Sequence, residues 1–116
     1  MSNLLQETIE ILEYHGKTLS DIIFIRQDHH YKWDQPACNH KIEDLEALKL
    51  LLDTEYDDGY GSPEVNTNIQ LVGKDFWLER HEYDGSEWWE YKTLPTYDES
   101  IACDLTDIKI WNSWED

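Results

Sequence analysis

Basic residues are scarce in this chain. It has 9 Lys and Arg against 26 Asp and Glu in 116 residues, so its formal net charge at neutral pH is −17. A surface of this sign repels DNA, RNA and anionic membranes, which argues against direct binding to any of them. The same charge suits a basic partner protein, because its field would steer association with a cationic surface. The alternative interpretation is that the acidity only keeps the protein in solution.

Cysteines and long apolar runs are also few. The two cysteines, Cys38 and Cys103, do not suffice for a disulfide scaffold, so we expect reduced thiols. No stretch approaches the roughly 18 apolar residues of a membrane span. The opening residues, MSNLLQETIEILEYHG, have the pattern of an acidic amphipathic helix rather than of a signal peptide. We therefore expect a cytoplasmic protein.

Catalytic signatures are missing as well. The sequence has no G-x-S-x-G elbow and no glycine-rich phosphate loop. His81 would share a strand face with Glu79, whereas Glu82 would point away from it. In a chain with 26 acids such a pair is uninformative. We expect neither enzymatic activity nor a cofactor.

Two groups of residues approach the composition of a metal site. One has the residue types that zinc prefers: His29, His30, Cys38 and His40. Its spacing matches no standard finger or knuckle. The other nearly follows a calcium loop: Asp53, Glu55, Asp57, Gly59 and Glu64. Its glycine is displaced by one position, because Asp58 stands where the sharp turn needs it. We expect solvated loops without a metal ion at both places.

The stretch that organises the chain is rich in aromatic residues and spans residues 69–95, IQLVGKDFWLERHEYDGSEWWEYKTLP. Its segment Val72-Gly73-Lys74-Asp75 predicts a tight hairpin, with Gly73 at the positive φ of a type II′ turn. That turn would place Leu71 opposite Phe76 and make one face of the hairpin apolar. Ile69 would then lie opposite Leu78.

Asp84-Gly85 predicts a second hairpin directly afterwards. A two-residue loop sets Trp89 beside Arg80. A slip of one residue instead pairs Arg80 with Glu90 and turns Trp88 to the other face. Both registers give a three-stranded antiparallel meander with one face in the core, and the sequence leaves the choice open.

Apolar spacing predicts two helices, over residues 3–15 and 42–56. Gly16 is expected as the C′ residue that ends the first helix. Acidic side chains near the start of the second helix suit the helix dipole, and they are Glu43, Asp44 and Glu46.

Shorter β-rich runs predict the remaining strands. Residues 22–25 would form a buried strand, turn over residues 26–30 and return as residues 31–33, ending before Pro36. Residues 103–111 alternate enough to form a final strand. The order α-β-β-α-β-β-β, with an optional last strand, predicts one α+β domain over residues 1–116. Its two helices would pack on an antiparallel sheet of about four to six strands.

Acidic residues alternate with large aromatic ones, as in Glu87-Trp88-Trp89-Glu90-Tyr91. Trp and Tyr are common interface anchors, and carboxylates beside them would meet Lys or Arg on a partner. The alternative is that the aromatics only pack, with Trp77 and Trp89 in the core. The predicted partner-binding residues are Asp57, Asp58, Tyr60, Glu79, Glu87, Trp88 and Glu90.

The segment GKDFWLERHEYDGSEWWEYKTLP, with DTEYDDGYGSPEV before it, resembles a family of small acidic uncharacterised proteins of phages and prophages of Gram-positive bacteria. The resemblance covers residues 18–95. The family has no established biochemical activity, so the resemblance implies a mobile-element origin rather than a chemistry.

That origin favours an inhibitor of the anti-CRISPR or anti-restriction type, whose carboxylates stand in for phosphates on a basic host protein. An RNA-guided nuclease is the first candidate partner. We expect a monomer that contacts neither nucleic acid nor membrane. The alternative function is that of an accessory or adaptor protein which binds another phage or host protein.

Overall fold

The computed structural model describes residues 2–28, 36–57 and 65–111. The helices are α1 (Leu4–Tyr14) and α2 (Leu45–Leu52). The strands are β1 (Ser2–Asn3), β2 (Ile22–Gln27), β3 (Cys38–Lys41), β4 (Glu55–Tyr56), β5 (Ile69–Gly73), β6 (Phe76–Tyr83) and β7 (Ser86–Thr93). Five strands form an antiparallel sheet in the order β3-β2-β5-β6-β7, and β1 pairs with β4 separately. The α+β class and the order α-β-β-α-β-β-β are confirmed, with β1 and β4 as unpredicted additions.

Helix α1 has a capping group at each end. The Asn3 side chain accepts a hydrogen bond from the Gln6 N–H at 3.0 Å, which satisfies one of the free donors of the first turn. Gly16, with a φ of 73°, follows the last turn, and the Lys17 N–H donates to the Leu12 carbonyl at 2.8 Å. Gly16 is therefore the C′ residue of a Schellman motif, as predicted.

Helix α2 is shorter than predicted at both ends. It begins after Asp44, whose side chain accepts from the Glu46 N–H at 3.0 Å. Ile42 lies before the helix because its N–H donates to the Ile23 carbonyl of β2. Tyr56 lies in β4, opposite Ser2. Residues at both ends of the predicted helix thus pair with β1 and β2 instead of extending α2.

The first hairpin of the meander has its turn one residue later than predicted. Leu71 pairs with Leu78, and the loop between β5 and β6 consists of Lys74 and Asp75. The partner of Leu71 is therefore two residues beyond the predicted Phe76. Because side chains alternate with a period of two, the same side chains still face the core. Gly73 has no positive φ, and the type II′ assignment was wrong. A Cβ atom there would lie 2.1 Å from Phe76 Cε1, so this position needs space rather than a left-handed backbone.

The sequence left two registers open for the second hairpin. The structure has the one with the two-residue loop. Tyr83 pairs with Ser86, and Arg80 lies opposite Trp89. Asp84 and Gly85 have φ values of 50° and 87°, as a type I′ turn requires at both central positions. The one-residue slip is excluded by this pairing.

Two strand predictions were wrong. Residues 26 and 27 do not turn but continue β2, whose partners are β5 and β3. The strand that returns along β2 is thus β3, after Pro36, and the predicted strand at residues 31–33 lies outside the described residues. Residues 103–111 form no strand. They contain one 3₁₀ turn, Leu105–Asp107, and follow another, Glu99–Ile101.

The core lies between the inner face of the sheet and the two helices. Its buried apolar residues are Leu4, Leu12, Leu19, Ile22, Leu48, Leu52, Tyr56, Leu71, Phe76, Leu78 and Trp89. Trp89 is thus a core residue, as the packing interpretation expected, whereas Trp77 is half-buried on the other face of the sheet. No helix among the described residues is long and apolar enough to cross a bilayer.

Candidate protein-binding face

The strand residues that alternate with the core residues form an outer face of the sheet, away from the helices. We use "outer face" for two rows of cross-strand neighbours and the pair beside them. The first row is Lys41, Phe24, Val72, Trp77 and Lys92. The second row is Asn39, Arg26, Gln70, Glu79 and Glu90. The adjoining pair is His81 and Trp88. A solvated sheet face with this many aromatic side chains is typical of a binding surface.

Glu79 and Glu90 lie directly opposite each other in the second row. Two like charges in this position destabilise a sheet unless other groups compensate for them. The indole N–H groups of Trp77 and Trp88 donate to Glu79 at 2.7 Å and to Glu90 at 3.1 Å. Each indole therefore holds the carboxylate two residues along its own strand.

A histidine and a lysine complete the surroundings of this pair. His81 Nε2 lies 2.7 Å from Glu79 Oε2 and 3.7 Å from Glu90 Oε1. Lys92 Nζ lies 3.2 Å from Glu90 Oε1. The prediction that His81 and Glu79 share a strand face is confirmed, and Glu82 is on the opposite face.

These contacts keep both carboxylates ionised. The hydrogen bond from Trp77 lowers the pKa of Glu79, against a smaller opposing effect of burial, and His81 lowers it further. The hydrogen bonds from Trp88 and Lys92 lower the pKa of Glu90. Hydrogen bonds that are made to the charged form have this sign. The pair therefore places two negative charges side by side on the outer face of the sheet.

Glu87 does not belong to this surface, although the sequence predicted it as a contact residue. It lies on the inner face, and its side chain is only 2% exposed. Its Oε1 atom accepts from Arg80 Nη2 and from the Val65 N–H, each at 3.0 Å. Glu87 is therefore a structural residue. The sequence could not show this as long as the register of the hairpin was open.

Arg80 is the centre of a buried polar cluster that joins α1 to the sheet. Its guanidinium also contacts Glu7 Oε1 at 2.9 Å and the Tyr56 hydroxyl at 3.3 Å. Burial alone would lower the pKa of Arg80, but its contacts with Tyr56, Glu7 and Glu87 raise it. Burial and the hydrogen bond to Glu7 raise the pKa of Tyr56 to about 12. Sequence reasoning missed this cluster.

The other predicted contact residues lie elsewhere. Asp57 follows β4 and is half-buried. Asp58 and Tyr60 lie outside the described residues. The structure thus brings together three predicted residues, Glu79, Trp88 and Glu90, and adds neighbours that the sequence did not predict as contact residues. These neighbours are Phe24, Arg26, Val72, Trp77, His81 and Lys92.

The two groups that approached metal sites are only partly described. Cys38 and His40 are exposed on β3, whereas His29 and His30 lie outside the described residues. Asp53 accepts a hydrogen bond from the Asn3 side chain at 3.0 Å, and Glu55 lies in β4. Gly59 and Glu64 lie outside the described residues. Among residues 2–28, 36–57 and 65–111, no three potential ligands come together as a metal site would require.

Comparisons with protein-family models, with curated protein sequences and with solved structures find no match to this chain. The resemblance to phage and prophage proteins therefore stays a prediction.

Proposed function

We propose that this chain is a non-enzymatic inhibitor, encoded by a phage or prophage, of a basic nucleic-acid-binding defence protein in the host cytoplasm. It would act by nucleic-acid mimicry, and an RNA-guided nuclease is the first candidate partner. The observation that carries the proposal is the Glu79–Glu90 pair. These two carboxylates are kept ionised and accept hydrogen bonds from the two indoles on either side of them on the outer face.

A carboxylate pair of this kind suits a partner that evolved to bind phosphates. Arg presents a planar fork of donors that fits a carboxylate as well as a phosphate. Residues directly opposite in an antiparallel sheet have Cβ atoms about 5 Å apart, so both carboxylates are within reach of one basic groove. The indoles of Trp77 and Trp88 lie on either side of the pair and provide faces for cation–π contacts.

Much of the basic charge of the described chain is already neutralised within it. Five basic side chains form ion pairs with its own acids: Lys17, Arg26, Lys49, Arg80 and Lys92. The net charge of −17 is therefore spread over carboxylates that greatly outnumber the available cations. The resulting field favours rapid association with a cationic surface.

The test is a DNA-cleavage assay with a purified RNA-guided nuclease of a Gram-positive bacterium, with and without this protein. We compare the wild type with Glu79→Lys/Glu90→Lys. The matched control, Glu10→Lys/Glu13→Lys, makes the same change in net charge on exposed positions of α1. The proposal expects inhibition by the wild type and by the control, and at least about a tenfold loss in the outer-face variant.

Two outcomes would contradict the proposal. Equal weakening by both variants would show that net charge matters and the carboxylate pair does not. A wild type that inhibits neither this nuclease nor restriction enzymes and other nucleic-acid-binding defence proteins of the host would remove the inhibitor function itself. The triple reversal Asp57→Lys/Asp58→Lys/Glu90→Lys extends the test to the predicted residues of the preceding loop.

A second candidate function is that of a non-enzymatic adaptor, and the first row of the outer face favours it. Phe24, Val72 and Trp77 form an apolar centre that another phage or host protein could cover. Salt separates the two functions, because screening weakens a charge-mediated contact steeply and an apolar contact much less. Binding that persists between about 0.1 and 1 M salt would favour the adaptor.

A further inference from the structure

The segment after β7 exposes a series of large apolar side chains. Every residue from 93 to 111 is exposed. The exposed apolar residues are Leu94, Tyr97, Ile101, Leu105, Ile108, Ile110 and Trp111. Leu105 is 87% exposed and Trp111 is 82% exposed. Single exposed apolar residues are ordinary, but seven of them within residues 94–111 are a concentration typical of an interaction site.

Five of these seven residues have the spacing of one face of a helix. Leu94, Tyr97, Ile101, Leu105 and Ile108 follow one another at intervals of three, four, four and three residues. This alternation of three and four places side chains along a single stripe of an α-helix. The last three members are separated by the i, i+4, i+7 intervals of a helix that docks in a groove.

The segment already contains the beginnings of a helix. Asp98 accepts from the Ser100 N–H at 2.9 Å and from the Ser100 hydroxyl at 2.7 Å, and the 3₁₀ turn Glu99–Ile101 follows it. A second 3₁₀ turn begins after Asp104, whose N–H donates to the Asp107 carboxylate at 3.2 Å. Isolated helices of this length are marginal in water, so further helix formation needs a partner that buries the apolar stripe.

We propose that residues 98–111 bind as an amphipathic helix in an apolar groove of another protein, with basic residues along the edge of that groove. Ile101, Leu105 and Ile108 would fill the groove. The carboxylates of Asp98, Glu99, Asp104 and Asp107 surround these anchors, against the single basic residue Lys109. This charge requires Lys or Arg at the rim of the partner.

The same negative charge disfavours three other binding partners for this segment: a groove on its own domain, the same groove on a second copy, and an anionic membrane. A groove of about 410 Å³ lies beside α2 on this domain and has apolar walls, among them Ile25, Ile42 and Leu51. Its rim carries Glu43 and Asp44, which would repel the acidic segment of the same chain or of a second copy. An anionic membrane surface would repel the segment in the same way.

The inference does not depend on the outer face. The anchors lie after β7 on their own segment, whereas the proposed inhibitor function uses Glu79 and Glu90. We call residues 98–111 the tail. A variant of the tail and a variant of the outer face therefore test the two proposals separately.

The experiment has two steps and uses the full chain throughout. Immobilised protein first captures proteins from the lysate of a Gram-positive bacterium, and each captured protein is identified and purified. Its binding to the wild type and to four variants is then titrated by calorimetry, and helix content is followed by circular dichroism. The variants are Ile101→Ser/Leu105→Ser/Ile108→Ser, Thr106→Pro, the control Tyr14→Ser/Leu50→Ser/Tyr83→Ser, and the outer-face variant Glu79→Lys/Glu90→Lys.

The control removes three exposed apolar side chains elsewhere on the domain, and Thr106→Pro blocks a helix without touching an anchor. We expect a basic partner that binds wild type and control with equal affinity. The complex should contain more helix than the two separate proteins, because residues 98–111 become helical on binding. The partner's affinity should fall by about 30-fold or more for the triple serine variant and for Thr106→Pro.

Several results would overturn the inference. One is that a captured partner binds both tail variants with the affinity of the wild type. The same holds if no captured protein depends on the tail for its binding. Another is tail-dependent self-association in analytical ultracentrifugation, which would make a second copy the occupant. A third is tail-dependent binding to vesicles of phosphatidylglycerol. Loss of binding only in Glu79→Lys/Glu90→Lys would support the proposed function and contradict the inference.

Discussion

A Cβ atom on Gly73 would lie 2.1 Å from Cε1 of Phe76. Phe76 is 2% exposed, and its ring stacks on Tyr91 with a centroid distance of 5.1 Å. The ring therefore has little freedom to move away. Glycine is required at position 73 because the Phe76 ring occupies the volume of a side chain.

Substitution Gly73→Ala should therefore destabilise the domain by overpacking. We expect the free energy of unfolding to fall by about 1–3 kcal/mol in urea denaturation followed by Trp fluorescence. The double variant Gly73→Ala/Phe76→Leu should recover part of this loss relative to the sum of the two single variants, because the smaller side chain leaves room for the methyl group. Strict additivity would contradict the steric explanation.

Substitution Arg80→Met should be more severe. It would leave Glu87, which is 2% exposed, without its cation in the core. Removing one partner of a buried ion pair costs about 3–5 kcal/mol, and we expect a loss of this size in the same urea measurement. The control Lys49→Met breaks the exposed pair with Glu46 and should change stability by less than about 0.5 kcal/mol.

The double variant Arg80→Met/Glu87→Leu distinguishes two causes of the lost stability, an unpaired buried carboxylate and the loss of the cluster's packing and hydrogen bonds. If the damage in Arg80→Met comes from an uncompensated carboxylate, removing that carboxylate should restore much of the stability. A double variant that is less stable than Arg80→Met would show that the cluster acts through its shape and hydrogen bonds.

Tyr56 predicts a loss of stability at alkaline pH. Its pKa is raised to about 12 in the folded chain, against about 10 when unfolded. The folded state thus holds a proton that the unfolded state loses. This contribution to stability is fully present below pH 10 and is lost as the pH rises towards 12. Tyr56→Phe should lack this loss, which thermal unfolding between pH 9 and 12 would show; an unchanged profile would contradict the assignment.

Glu79 predicts the opposite behaviour at acidic pH. Its pKa is lowered by the Trp77 indole, so its contribution to stability is present above the ordinary glutamate pKa and is lost as the pH falls through the lower value of the folded state. Trp77→Phe removes the donor and should raise the pKa of Glu79 in a carboxyl NMR titration. Trp88→Phe serves as the control, because it should raise the pKa of Glu90 and leave that of Glu79 in place.

Local signals were enough to predict that the meander and both helices exist, but not the turn of the first hairpin or the ends of α2. Asp84-Gly85 predicted the second hairpin, and the type I′ turn that it adopts sets the pairing of Tyr83 with Ser86, which the sequence had left open. The alternation around Leu78 then sets which side chains enter the core. Gly16 ends α1 by a rule that acts within one turn of helix.

Elements that depend on distant partners were not predictable in this way. The end of α2 is set by the pairing of Tyr56 with Ser2, and β3 is set by its register on β2. In the candidate site, Glu79, Trp88 and Glu90 were singled out from composition. The burial of Glu87 required the contact with Arg80, which only the assembled sheet reveals.

The attachment of α1 also has a consequence for synthesis of the chain. The sheet contacts of Glu7 and Thr8 are to Arg80 and Trp89, at sequence separations of 73 to 82 residues. Helix α1 therefore cannot complete its docking on the sheet until β6 and β7 have been synthesised. Contacts this distant slow folding, and they leave the part of α1 that packs on β6 and β7 uncovered until those strands have been made.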